Sequence, residues 1–69
     1  MKRNRRMEEK VYTVEEVASQ LRVDARTVRK WIRRGELAAI DVGREYRIRE
    51  SSLQDFIKRR EKRDIPTDT

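Results

Sequence analysis

The side chains whose type and spacing suggest a chemical function are the cations of the stretch RTVRKWIRRGEL, which runs from Arg26 to Leu37. If this stretch is helical, four of its cations recur at i, i+3, i+4 and i+7 and share one face. These four are Arg26, Arg29, Lys30 and Arg33. Like charges at such spacings repel one another, so the face costs stability unless something anionic meets it. The pattern favours contact with a polyanion, and the alternative is a solvated surface helix.

The chain of 69 residues contains neither cysteine nor histidine. Without cysteine there is no thiolate, and without histidine the usual general base and the commonest neutral metal ligand are missing. No apolar run approaches the roughly 20 residues that cross a bilayer, and nothing resembles a signal peptide. We therefore expect a cytoplasmic protein that is not an enzyme, holds no cofactor or metal and does not enter a membrane.

The net charge of +6 is unevenly distributed. Residues 1–10 carry five cations and two anions, residues 11–57 carry nine and eight, and residues 58–69 carry five and three. Within the nearly neutral middle, the segment from Arg22 to Arg34 holds six cations and one anion. Such clustering suits a phosphate backbone or an anionic membrane surface, and composition alone does not choose between them.

Two short helices are expected to position the cations. Thr13 is an N-cap candidate, and Glu16 completes a capping box ahead of an apolar stripe at helical spacing. The stripe consists of Val14, Val17, Ala18 and Leu21. After a tight connection, Asp24 can cap a second helix, which should end before Gly35 because glycine suits the positive φ of a C′ position. The inward face of the second helix is expected to consist of Ala25, Val28 and Ile32. Two such helices with a three-residue turn predict a helix-turn-helix.

The hydrophobic pattern then changes its period. Apolar residues alternate along AAIDV and EYRIR, with Gly43 and Arg44 between the two runs. A two-residue loop with glycine first is typical of a β-hairpin with a type II′ turn. A third helix is expected from about Glu50, with Ser51 or Ser52 available as its cap. Its inward residues are expected to be Leu53, Phe56 and Ile57.

The elements predict one mainly α domain with a small β-hairpin, arranged as a winged helix-turn-helix, over residues 11–60. Residues 1–10 have no apolar periodicity and are predicted to be a disordered basic arm. Residues 61–69 are predicted to be a disordered tail.

In a helix-turn-helix the second helix enters the major groove of DNA, and its first residues lie closest to the base edges. Arg26 and Thr27 are therefore candidates for base contacts, with Lys30 one turn later. Arg29 and Arg33 are expected near the flanking phosphates.

Three further side chains allow more than one interpretation. Arg44 and Arg47 of the hairpin could enter a minor groove or bind phosphate, and the alternative for Arg47 is a surface ion pair with Glu45 or Glu50. Trp31 is expected to widen the apolar face of the second helix, and the alternative is a platform on which bases stack.

The motifs YTVEEVA, TVRKWIRRGEL and VGREYRIRESSLQDF, in this order, resemble the small winged-helix DNA-binding domain of the excisionase family, which is related to the DNA-binding head of MerR-type regulators. The resemblance implies a second helix in the major groove and a wing on the adjacent groove or backbone. The DNA-binding residues that it supports are Arg26, Thr27, Arg29, Lys30, Arg33, Gly43, Arg44 and Arg47. Arg22 departs from the family pattern because glycine is frequent at that turn, so backbone strain or a slightly different turn is expected there. The long dimerisation helix and effector domain of MerR-type regulators also have no counterpart, so no small-molecule effector is expected.

The leading hypothesis is an excisionase-like accessory protein, associated with the nucleoid. Its expected partners are double-stranded DNA, an integrase and neighbouring copies of itself on repeated sites. It would bend DNA near a recombination junction and favour excision. A stand-alone transcription regulator with the same domain is the first alternative. A basic module that docks an acidic protein or an anionic surface is an alternative of another class.

Overall fold

The computed structural model describes residues 9–62, which form three helices and one antiparallel sheet of three strands. In chain order the elements are β1 (Val11–Thr13), α1 (Val14–Leu21), α2 (Ala25–Arg33), β2 (Ile40–Asp41), β3 (Tyr46–Arg49) and α3 (Glu50–Arg60). This arrangement confirms the predicted winged helix-turn-helix. Most of the predicted arm and tail, residues 1–8 and 63–69, lies outside the described residues.

The sheet has the strand order β1-β3-β2 and includes a strand that the hydrophobic pattern did not predict. β1 precedes α1 directly and pairs with β3, with Tyr12 opposite Ile48. β2 pairs with the other edge of β3, with Ile40 opposite Arg47. The wing is therefore the β2–β3 hairpin, and β1 joins it to the start of the helix-turn-helix.

The hairpin is shorter than the alternating pattern predicted, because β2 ends at Asp41. Val42 N still donates to Glu45 O at 2.9 Å, which leaves Gly43 and Arg44 at the tip. Gly43 has φ +106°, a conformation that side chains with a Cβ rarely adopt.

One hydrophobic core is shared by the helices, the sheet and the connection after α2. Its buried residues are Val14, Val17, Ala18, Val28, Leu37, Ile48, Leu53 and Phe56. Among the residues predicted to face inward, those that are only partly buried and pack against this cluster include Leu21, Ala25, Ile32 and Ile57. Because α1, α2, α3 and the wing strand β3 all contribute buried residues to one small core, we expect the wing and the helices to fold together.

Both ends of α1 are closed by local hydrogen bonds. Glu16 N donates to Thr13 Oγ1 at 3.0 Å and Thr13 N donates to Glu16 Oε1 at 2.9 Å, which confirms the capping box. At the other end, Arg22 N and Val23 N donate to the carbonyl oxygens of Ser19 and Ala18 at 3.2 and 2.9 Å. This closure puts Arg22 at φ +57°, the only positive φ of a non-glycine among residues 9–62. The turn between the two helices therefore carries the strain expected from the sequence.

α2 departs from the prediction at its N-terminal end and agrees with it at its C-terminal end. Asp24 lies at the N-cap, but its side chain makes no capping hydrogen bond; its carbonyl accepts from Thr27 N and Val28 N at 2.9 and 3.3 Å. The predicted side-chain cap is therefore wrong, and the carboxylate stays on the surface. At the C-terminal end, Gly35 has the predicted positive φ, +77°, and donates from its N–H to Ile32 O at 3.0 Å.

The predicted cap of α3 is also wrong. Arg49 occupies the N-cap position, so Ser51 and Ser52 lie inside the first turn. The first turn of α3 is capped instead by the carboxylate of Glu9, whose Oε2 accepts a hydrogen bond from Ser51 N at 2.7 Å. Pairing of β1 with β3 brings Glu9 to this place, and a carboxylate at a helix N-terminus also interacts favourably with the helix dipole. Hydrogen bonds from Ser51 hold the pKa of the Glu9 carboxyl below its ordinary value.

Two further contacts attach the segment before α1 to the start of α3. Glu50 N donates to Lys10 O at 2.9 Å, and the Tyr12 hydroxyl donates to Glu50 Oε1 at 2.5 Å. The hydrogen bond to this carboxylate raises the pKa of Tyr12, because it favours the protonated hydroxyl.

Candidate nucleic-acid interface

The exposed face of α2 is opposite Val28, which is fully buried. Because successive residues of an α-helix are about 100° apart, three cations lie near the middle of that face: Arg26, Lys30 and Arg33. Together with Thr27 and Asp24 they line one shallow groove. Within residues 9–62, none of the three forms an ion pair. The repulsion predicted from their spacing is therefore not relieved inside the described part of the chain.

Arg29 lies on the flank of α2 and belongs to a different group. It lines a cleft of about 180 Å³ together with Arg44 and Arg47 of the wing. The first turn of α1 forms another wall of this cleft, through Val14 and Glu15. The predicted site residues therefore do not make one uniform face. They form the exposed face of α2 and, beside it, a cleft between α1, α2 and the wing, which we call the wing cleft.

Two of the three arginines in the wing cleft are paired with carboxylates. Arg29 Nη2 lies 3.1 Å from Glu15 Oε2, and Arg47 Nη1 lies 2.8 Å from Glu45 Oε1. The surface pair considered for Arg47 is thus present, with Glu45 as its partner. Arg44 makes no ion pair with the residues that the structure describes. The wing cleft is therefore less positive than the exposed face of α2.

The tip of the wing is shaped by a short-range hydrogen bond. Gly43 N donates to Asp41 Oδ1 at 3.0 Å, so the aspartate side chain closes the turn over its own backbone. This contact places Gly43 at the tip and leaves the Arg44 side chain exposed next to it. Gly43 contributes backbone shape to the site, and the charge comes from Arg44.

A family model described as a helix-turn-helix domain matches residues 11–61. The chain belongs to this helix-turn-helix family. The matched range contains all three motifs that carried the resemblance to the excisionase-type domain, and it confirms that resemblance. Two relatives from Mycobacterium tuberculosis, strains CDC 1551 and H37Rv, each carry the provisional name of a DNA-binding protein. Each is 39% identical over 46 residues, which are 67% of this chain and 59% of the relative. No solved structure gives a significant match.

Trp31 of the helix-turn-helix domain packs inward, which confirms the core interpretation of this residue. Its ring centroid lies 4.8 Å from that of Phe56, at an interplanar angle of 44°. The Arg60 guanidinium lies over both rings, 5.3 Å from Trp31 and 4.6 Å from Phe56, and also binds Glu36 Oε1 at 2.6 Å. A base could not stack on the face of Trp31 that Arg60 covers.

Between Glu9 and Lys62 no group of three or more Asp, Glu, His or Cys side chains could hold a metal ion. None of the helices in that range is long and apolar enough to span a bilayer.

Proposed function

We propose that this domain binds double-stranded DNA with sequence selectivity and inserts α2 into the major groove. The observation that carries the proposal is the exposed face of α2, where Arg26, Lys30 and Arg33 lie side by side without an ion-pair partner among residues 9–62. A cationic face of this kind is unfavourable in water and becomes favourable when phosphates replace counterions. Membership of the helix-turn-helix family and the names of the two mycobacterial relatives support the same conclusion.

The position of each side chain along α2 suggests its role. Arg26 and Thr27 belong to the first turn and are assigned to base edges, with Lys30 one turn later. Arginine or lysine can bond guanine O6 and N7, and the methyl group of Thr27 can contact the methyl group of thymine. Arg33, in the last turn of α2, is assigned to the phosphate backbone.

The wing cleft is assigned to the DNA backbone beside the major groove. Arg44 is exposed at the wing tip, and Gly43 gives the tip its turn. Arg29 and Arg47 lie in the same cleft as Arg44, so one phosphate segment or a narrow minor groove could contact all three arginines. Arg47 would exchange Glu45 for phosphate, which costs little because such an exposed pair is weak. Arg29 pairs with Glu15 through Nη2, so its other guanidinium donors could contact phosphate while that pair is kept.

At the level of biological role, we propose an excisionase-like accessory protein. It would bind near the attachment sites of a mobile element, together with neighbouring copies of itself, bend the DNA and direct an integrase toward excision. The support is the resemblance of the three motifs to the excisionase-type domain. The site consists of cations, a threonine and a glycine turn, so we propose a binding function without catalysis. Its place would be the nucleoid in the cytoplasm, where the DNA is.

The decisive experiment is selection of genomic fragments by the purified protein, followed by footprinting and an excision assay. Protected repeats at the ends of an element beside an integrase gene, with increased excision, would support the excisionase-like role. Protection confined to promoters, with no effect on excision, would instead identify a stand-alone transcription regulator.

A salt series tests duplex binding itself against docking on an acidic protein or an anionic surface. Several phosphate contacts predict a loss of affinity of about a thousandfold between roughly 50 and 200 mM salt. Absence of binding to any duplex at the lowest salt concentration would refute the DNA-binding proposal and favour the acidic-partner alternative.

A further inference from the structure

The Glu15–Arg29 ion pair stands out because it joins two helices at the edge of the proposed interface. Glu15 lies in the first turn of α1 and Arg29 lies 14 residues later in α2, with 3.1 Å between Oε2 and Nη2. Their side chains are 68% and 44% exposed, so water screens the attraction and the pair contributes little to folding stability. The Glu15 carboxylate also interacts favourably with the dipole of α1, but that effect does not require pairing with Arg29 inside the wing cleft.

We propose that Glu15 is a specificity-determining residue, which holds Arg29 in one orientation and offsets its charge toward DNA of the wrong sequence. The inference rests on the proposed binding to duplex DNA. Glu15 is a positioning residue, because it acts through Arg29 and is not itself proposed to contact DNA.

The two effects of Glu15 act differently on random and on preferred DNA. Binding to random DNA depends on attraction between cations and phosphates, and a carboxylate beside Arg29 weakens that attraction. On a preferred sequence α2 is seated in one geometry, and an arginine that is already oriented loses less conformational freedom on binding. Glu15 therefore lowers affinity for random sequences more than for the preferred sequence.

The other carboxylates nearby are less suited to this role. Glu16 is engaged in the capping box with Thr13, at 2.9 Å from Thr13 N. Glu45 pairs with Arg47 only two residues further along the chain, within the wing itself. Among the carboxylates of residues 9–62, only Glu15 forms an ion pair with a residue of α2, the helix that is proposed to enter the groove.

The experiment compares Glu15→Gln with Glu16→Gln, a matched control that removes the same charge from the neighbouring position. Glutamine keeps an acceptor of the same size, so Glu16→Gln retains the capping box. Two duplexes serve as probes: one enriched from a random pool by the wild-type protein, and one with its sequence scrambled. Affinity is measured across a salt series, and the unfolding midpoint of each variant shows that it is folded.

Glu15→Gln is expected to raise affinity for the scrambled duplex about threefold or more, with a smaller change on the enriched duplex. The preference for the enriched duplex then falls by the ratio of the two changes. The slope of log affinity against log salt on the scrambled duplex should steepen by up to about one, because Arg29 becomes free to neutralise a phosphate. In an Arg29→Ala background, Glu15→Gln should have little effect on either duplex.

Four results would overturn the inference. An equal fall in affinity for both duplexes, with an unchanged salt slope, would make Glu15 a structural residue of α1. If Glu16→Gln raised affinity for the scrambled duplex as much as Glu15→Gln does, the effect would come from the loss of one negative charge and not from the position of Glu15. A wild-type protein that binds neither duplex at low salt would refute the proposed function and the inference with it. If the wild type binds, but Glu15→Gln has the same affinities and salt slope as the wild type, the inference alone is refuted.

Discussion

Lys30 and Arg33 are neighbours on the exposed face of α2 and differ in their expected roles. Lys30 is assigned to a base edge and Arg33 to a phosphate. Lys30→Ala should cost about 1–3 kcal/mol of binding free energy on the preferred sequence and relax the preference at one base position. Arg33→Ala should weaken binding to all sequences about equally and reduce the salt slope by about one. The measurement is affinity for a panel of duplexes with single base substitutions.

The result that would contradict these roles is equal behaviour of the two variants across the panel. Lys30→Ala and Arg33→Ala each remove one positive charge from the same exposed face, so each serves as the charge-matched control for the other.

Residue type was sufficient to predict a helix end where the hydrogen-bonding partner lies within a few positions along the chain. Thr13 and Glu16 cap each other across three residues, and Gly35 ends α2 by its own backbone conformation. Asp24 occupies the predicted N-cap of α2 without a side-chain bond, and the predicted cap of α3 at Ser51 or Ser52 was wrong. Such residues can bond nearby backbone groups in several ways, so their type alone does not determine which contact forms.

At the scale of elements, the turn between α1 and α2 gives a prediction about stability. Arg22 adopts φ +57°, and a residue with a Cβ is strained there by about 1–2 kcal/mol. Arg22→Gly should therefore raise the free energy of unfolding by about 1 kcal/mol, less than the full strain because glycine also gains freedom in the unfolded chain. The measurement is denaturant unfolding at neutral pH.

Arg22→Ala is the control for the turn, because it removes the same charge but keeps a Cβ. It should leave the stability nearly unchanged. If alanine stabilises the protein as much as glycine does, relief of charge repulsion within the basic segment would be the cause, and backbone strain would not.

The start of α3 gives a prediction about pH. The pKa of Glu9 is lowered in the folded protein below its ordinary value of 4.5. A lowered folded-state pKa contributes stability above the unfolded-state pKa, and this stability is lost as the pH falls through the folded-state pKa. Glu9→Gln should therefore be less stable than the wild type near neutral pH, and the difference should shrink below about pH 4.5. Unfolding free energies measured from pH 7 to pH 3 test this.

A suitable control for Glu9 is Glu61→Gln, which removes a carboxylate beyond the opposite end of α3. A wild-type minus Glu9→Gln difference that stays constant with pH would show that the Glu9 carboxylate does not cap α3.

At the scale of the whole molecule, the wing and the helices share one core, and Ile48 tests this. Ile48 lies in β3, is fully buried and belongs to the same cluster as Val17 and Val28. Ile48→Ala should destabilise the protein by about 2–5 kcal/mol. A domain of this size has a stability of only about 3–10 kcal/mol, so helical structure should melt with the wing in one transition at a much lower temperature.

Ile40→Ala provides the comparison, because Ile40 lies in β2 and is 36% exposed. It should cost less than about 1 kcal/mol. Retention of the helical circular dichroism signal in Ile48→Ala, with loss of the wing alone, would contradict a shared core.

The sequence by itself determined the three helices, the hairpin and the cationic face of α2. These features depend on spacing within one element, where the backbone period decides which side chains share a face. The family resemblance rested on the same local motifs. The strain at Arg22 was one of the two outcomes expected there, because the resembling family often has glycine at that turn and glycine alone adopts a positive φ without cost.

Only the tertiary structure decided which elements complete one another. Pairing of β1 with β3 brings Glu9 to Ser51, 42 residues away, and the packing of α1 on α2 selects Arg29 as the partner of Glu15. The same packing separates Arg29 from the exposed face of α2 and places it with Arg44 and Arg47 of the wing. Contacts over such separations depend on how rigid elements cross around a common core, and no periodicity within a single element encodes that geometry.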